Sequence, residues 1–169
     1  MRKVLDGMIV TGAVGFILIL ALSAVFDHTI IWLHAFQALM YVAVIGLVLA
    51  RNRLGYFLGF SIAGFWNYLN LFVTNFFLSG LKELKALIAT GKLSKPDQLI
   101  AVAAVAFHVL MILGCLILIV RTWRKTGPDL LLLLATFVAS TAYFVAIVAL
   151  LQPRYLPLFP RALHPHALF

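Results

Sequence analysis

The feature that most constrains this chain is a series of five apolar runs, at residues 5–26, 30–50, 54–80, 98–120 and 130–151. Each is long enough to cross about 30 Å of hydrocarbon as a helix rising about 1.5 Å per residue. Hydrophobic residues make up 64% of the chain and charged residues 11%, against roughly a quarter charged in soluble domains. A chain of 169 residues cannot hide that much apolar surface inside itself, so lipid must solvate most of it. The expected fold is an all-α integral membrane protein, a single bundle of five transmembrane helices over residues 1–151.

The joints between the runs carry helix chemistry. Asp27-His28-Thr29 allows only a tight turn, with Asp27 or Thr29 capping the second helix, so spans one and two form an antiparallel hairpin. Gly7, Thr11 and Gly15 give span one a small-residue stripe, and Gly55, Gly59 and Ala63 give span three another; such ridges let helices approach closely. Residues 81–92 place Leu81, Leu84, Leu87 and Ile88 on one face and Lys82, Glu83 and Lys85 on the rest. That pattern predicts a short amphipathic helix lying at the interface between spans three and four and ended by Gly91. It reads better as a connector than as a gate. Ser94-Lys95-Pro96-Asp97 and Thr126-Gly127-Pro128-Asp129 open spans four and five with the same device: a hydroxyl cap, a proline in the first turn and an acid near the positive dipole end.

Residues 152–169 hold Pro153, Pro157, Pro160 and Pro165 among Leu, Phe and Tyr, which predicts an extended tail on the membrane surface or a partner rather than a long helix. The N-terminal Met1-Arg2-Lys3 and the apolar run behind it resemble a signal peptide, but the run is nearer to transmembrane length and reads as a retained first helix. With a cytoplasmic N-terminus, that side collects Arg2, Lys3, Arg51, Arg53, Arg121, Arg124 and Lys125. The opposite side, with the C-terminus, has Lys82, Lys85, Lys92, Lys95, Arg154 and Arg161. The first hairpin breaks this near-tie, because its turn has no Lys or Arg while both flanks do.

The net charge of +8 sits at span ends, where it serves topology and anionic lipids, so nucleic acid is not an expected partner. Cys115 is the single cysteine and lies inside a span, so no internal disulfide forms. No Asp, Glu, Lys or Arg occupies the middle of a span, which argues against carboxylate relays and metal-dependent hydrolysis. Phosphate-cradling loops, HExxH, GxSxG and CxxC are absent from the sequence. The chain is similar in size to translocator-type proteins and lipoprotein signal peptidases. It has neither the tryptophan–proline pattern of the first nor the paired aspartates of the second, and no family is assigned on that basis.

Two sets of residues stand out. Asn67, Asn70 and Thr74 share one face of span three, with Asn75 beside it, and Trp66 and Tyr68 flank them. Amides in hydrocarbon need partners: either other helices, which makes the stripe interhelical glue, or the polar end of a lipid, quinone or isoprenoid. The second set is His108 with Met111 and Cys115 on one face of span four, soft donors suited to Cu(I), or His108 paired with His34 or His28 as haem ligands. Both metal readings compete with ordinary packing. The leading expectation is a non-catalytic accessory subunit of a membrane complex, or a self-associating bundle, with lipids and other subunits as partners. The alternatives are a carrier for a hydrophobic molecule at the Asn67–Asn75 face and a haem or copper redox subunit at His108.

Overall fold

The computed structural model describes residues 1–122 and 127–162. Arg124, Lys125 and Thr126, and the tail from Leu163 onward, lie outside the described residues. Seven helices follow in order: α1 (Arg2–Phe26), α2 (Ile31–Leu49), α3 (Arg53–Phe72), α4 (Phe76–Thr90), α5 (Pro96–Thr122), α6 (Gly127–Leu151) and α7 (Leu158–Ala162). No strand occurs among the described residues. Helices α1, α2, α5 and α6 are each long and apolar enough to cross a membrane, and the pair α3–α4 adds a fifth crossing if it counts as one span.

Asp27 closes the first hairpin. Its Oδ1 accepts hydrogen bonds from the Thr29 amide (2.9 Å) and hydroxyl (2.6 Å), which sets a 3-10 turn at His28–Ile30 before α2. Asn52 caps α3 in the same way by accepting from the Leu54 amide.

The third apolar run departs from the sequence reading. It is not one helix from 54 to 80: α3 ends at Phe72, and α4 begins at Phe76 after a bend of 69°. The break lies at Val73-Thr74-Asn75, where Asn75 adopts φ 57°, a left-handed conformation that asparagine tolerates better than most residues. The residues read as a separate interfacial helix belong to α4, which carries the end of the apolar run with it. Gly91, at φ 67°, stops α4 as expected. Beyond the bend α4 packs against α5, and Gly80 makes this possible, since a Cβ there would stand 2.5 Å from the Gln98 carbonyl oxygen. Glu83 accepts from the Lys95 amide (3.2 Å) and ties the α4–α5 turn.

Helices α1 and α5 share the most extensive contact. Gly12 and Gly15 of α1 face Phe107 and Met111 of α5, and Gly114 of α5 faces Leu5 and Ile9 of α1. A Cβ at Gly12 would lie 2.6 Å from the Phe107 carbonyl oxygen. The span-three ridge acts similarly, with Gly55 against Leu47 and Gly59 against the Cys115 sulfur. Gly7, by contrast, meets no neighbour.

The described part of the tail is helical rather than extended. A 3-10 turn at Pro153–Tyr155 leads into α7, and Tyr155 and Phe159 pack on Leu33, Ile147 and Val148 of α2 and α6. The Gln152 side-chain amide donates to the Thr29 carbonyl. Arg154 donates to the Thr29 hydroxyl (2.8 Å) and pairs with Asp27 (3.4 Å).

Candidate functional site

A cavity of about 770 Å³ opens among the ends of α1, α3 and α6 and the starts of α2, α4 and α5. It lies at the end of the bundle that carries Asp27 and Asp97, away from the N-terminus. The break in α3–α4 contributes to it directly, since Thr74, Phe76 and Ser79 all line the space. A straight helix through residue 80 would have run past this region; the 69° bend takes the chain across α5 instead.

The floor is aromatic. Phe16 and Trp66 line the cavity and both pack on the His108 ring, with centroids 4.0 and 4.5 Å away. Below them His108 is fully buried, and its Nε2 shares a 2.7 Å hydrogen bond with the Tyr41 hydroxyl. The ring layer of Phe16, Tyr41, Trp66 and His108 therefore separates the cavity from the packed half of the bundle.

Polar side chains line it as well, among them His34, Asn70 and Gln37. The His34 ring nitrogen Nδ1 lies 3.0 Å from the Leu20 carbonyl; that oxygen can only accept, so Nδ1 carries the proton. In the neutral ring Nε2 is then left as an acceptor. Asn70 donates from Nδ2 to the Trp66 carbonyl (3.1 Å) one turn back, which keeps its Oδ1 as an acceptor. Gln37 is buried, faces the cavity and offers an amide with both donor and acceptor. Sequence reasoning missed Gln37; a lone glutamine within an otherwise apolar span was the signal that could have found it. The roof is the tail, through Tyr155, Leu158 and Phe159.

The sequence-derived site residues separate into distinct places. Asn70, Thr74 and Trp66 line the cavity, but Thr74 and Asn75 sit in the helix break, so the four-residue stripe is not one helical face. Asn67 is buried and its Oδ1 has no hydrogen-bond partner among the described residues. Tyr68 packs against Phe72 outside the cavity lining. Several polar side chains of the other helices that could have partnered the amides are engaged elsewhere. His108 bonds Tyr41, Thr136 bonds Ser61 (3.1 Å), and Tyr143 donates to the Phe36 carbonyl (2.9 Å).

Nor does the structure gather the metal candidates. His34 and His108 each have a separate protein partner, Leu20 and Tyr41. Met111 faces Gly12, and Cys115 faces Gly59. No group of three or more His, Cys, Asp or Glu side chains with metal-binding spacing occurs among the described residues.

Asp129 has a larger role than the helix-start chemistry expected of it. It is buried and pairs with Arg53 at 2.7 Å, at the opposite end of the bundle from the cavity. Arg53 also donates to the Thr122 carbonyl (3.1 Å), linking α3, α5 and α6. Neither a protein-family model, nor a curated protein, nor a solved structure matches this chain.

Proposed function

We propose that this protein is a membrane-embedded binding protein or carrier for a hydrophobic molecule, held in the cavity between the aromatic floor and the C-terminal tail. The observation that carries this reading is the cavity itself. Its 770 Å³ lies within the roughly 300–1,000 Å³ typical of small-molecule sites, and its wall is apolar and aromatic with a few convergent polar groups. Gln37 and Asn70 line it and can offer hydrogen bonds to a guest, beside other polar side chains such as His34, Thr74 and Ser79. With the N-terminus on the cytoplasmic side, as the charge around the first hairpin indicates, the tail and the cavity mouth face the opposite side.

The accessory-subunit reading ranks second. Leu130, Leu131, Leu134 and Val138 on α6 are exposed, but lipid satisfies such a face as well as a partner does.

The test is what leaves the membrane with the protein. After purification in mild detergent, solvent extraction and mass spectrometry should find an amphiphile at near-stoichiometric level. Ala101 lines the cavity, so Ala101→Phe should fill it and lose the guest while the thermal midpoint holds. A wild-type protein carrying no more lipid than an unrelated membrane protein handled alongside it would defeat the proposal.

A further inference from the structure

We infer that the cavity accepts an amphiphile with an uncharged, hydrogen-bonding head and rejects one with an anionic head; this rests on the binding role proposed above. The argument is from charge. No Lys or Arg lines the cavity among the described residues, while two carboxylates, Asp27 and Asp97, stand at its mouth. Arg154, a basic side chain beside it, is already engaged by Asp27 and the Thr29 hydroxyl and lies over the Tyr155 ring at 4.9 Å.

A buried phosphate or carboxylate needs cations or several N–H donors aimed at it. This interior offers no cation. His34 Nε2 is an acceptor, because its other ring nitrogen is committed to the Leu20 carbonyl, while Asn70 keeps its Oδ1 and one amide N–H. The Gln37 and Gln98 amides, the Trp66 indole and the Thr74 and Ser79 hydroxyls add neutral donors and acceptors in mixture. That set suits a hydroxyl group, which donates and accepts at once. A cationic head finds no carboxylate at depth, since both acids stay at the mouth and Asp27 is compensated by Arg154. The matching ligand is therefore a neutral lipid alcohol or acylglycerol, with its oxygens near Gln37 and Asn70 and its chain against the aromatic wall.

Four probes with one acyl or alkyl skeleton decide it: mono-oleoylglycerol, oleate, oleoyl lysophosphatidic acid and oleylamine. Each is titrated into the full chain in phosphatidylcholine nanodiscs, against empty discs. Mono-oleoylglycerol should bind at least about tenfold more tightly than any of the three charged probes. Gln37→Leu should remove most of that advantage, and Gln98→Arg, which adds a cation at the mouth, should raise oleate binding without moving the thermal midpoint.

A charged probe that binds as well as mono-oleoylglycerol overturns the head-group assignment and leaves the binding role standing. Failure of all four to bind above empty discs overturns the binding role, and the assignment falls with it.

Discussion

The same helices behave differently at their two ends. In the half next to the N-terminus, α1 and α5 meet through Gly12, Gly15 and Gly114, α3 nests on α2 at Gly55, and Arg53–Asp129 pins α6 to α3. In the other half, α1, α3 and α5 present Phe16, Leu20, Trp66, Asn70 and Ala104 to the cavity. Small residues let backbones close. Large rings and amides on facing helices hold them apart, and past the break at Val73–Asn75 the chain bends by 69° and sets Phe76 and Ser79 on the cavity wall. The lesson is a division of labour along the bundle: one half holds the fold, and the other is free to hold something else.

The largest test of that division is at Asp129. Asp129→Ala should lower stability by about 3 kcal/mol, the low end for breaking a buried pair, because the Arg53 side chain keeps 34% of its exposure. A thermal melt in detergent reads this directly, and ligand retention in the surviving folded fraction should be unchanged. Gly12→Leu should follow at about 3 kcal/mol, the upper end for overpacking, since the added side chain drives into the Phe107 backbone carbonyl, which cannot swing aside, and into Met111. The cavity-filling Ala101→Phe should invert both results, with retention lost and stability within about 1 kcal/mol of wild type. If Gly12→Leu and Ala101→Phe move the two measurements together, the halves are not separate and the comparison fails.

Helix positions and helix-end chemistry could be read from the sequence because they depend on local patterns: apolar length, Asp27 as a cap, Gly91 as a stop. Close packing at small residues was legible for the same reason, but which residues pack, and against what, was not: Gly7 of the span-one stripe meets no neighbour, while Gly12 outside it does. Gly12 faces α5 and Gly55 faces α2 because of how the helices are arranged, which residue spacing within one helix cannot reveal. The break in span three was hidden by continuity of composition. Apolar residues run on both sides of Val73–Asn75, and the one local sign, an asparagine in a left-handed conformation, is a tolerance of that residue type and not a signal of its own. Once the helix breaks, the stripe of Asn67, Asn70, Thr74 and Asn75 divides: Asn70 and Thr74 stay at the cavity while Asn67 turns into the packed side. Gln37 and His34 come to the same space from another helix, a convergence that no single run of sequence displays.

The finest distinction between the halves concerns what closes each. The packed end is closed by side chains inside the bundle, whereas the hollow end is closed by a tail latched at Asp27, Thr29 and Arg154 in the exposed turn. The Thr29 hydroxyl and amide, and then Arg154, hold the Asp27 carboxyl below its ordinary value of 3.8. A carboxyl with a lowered folded value contributes its interactions fully above the unfolded value, and loses them as pH falls through the folded one. The latch should therefore be complete at neutral pH and loosen only in acid below about 3.8. A spin label at Leu156→Cys should report this as a modest rise in mobility across that range, with the change abolished in Asp27→Asn, whose tail should already show that modest rise at neutral pH. The effect is small, because exposed ion pairs contribute little and Tyr155 and Phe159 still pack on α2 and α6. A label equally immobile at every pH in both proteins would show that the Asp27 carboxylate does not hold the tail, and that the Thr29 contacts and apolar packing close the cavity without it.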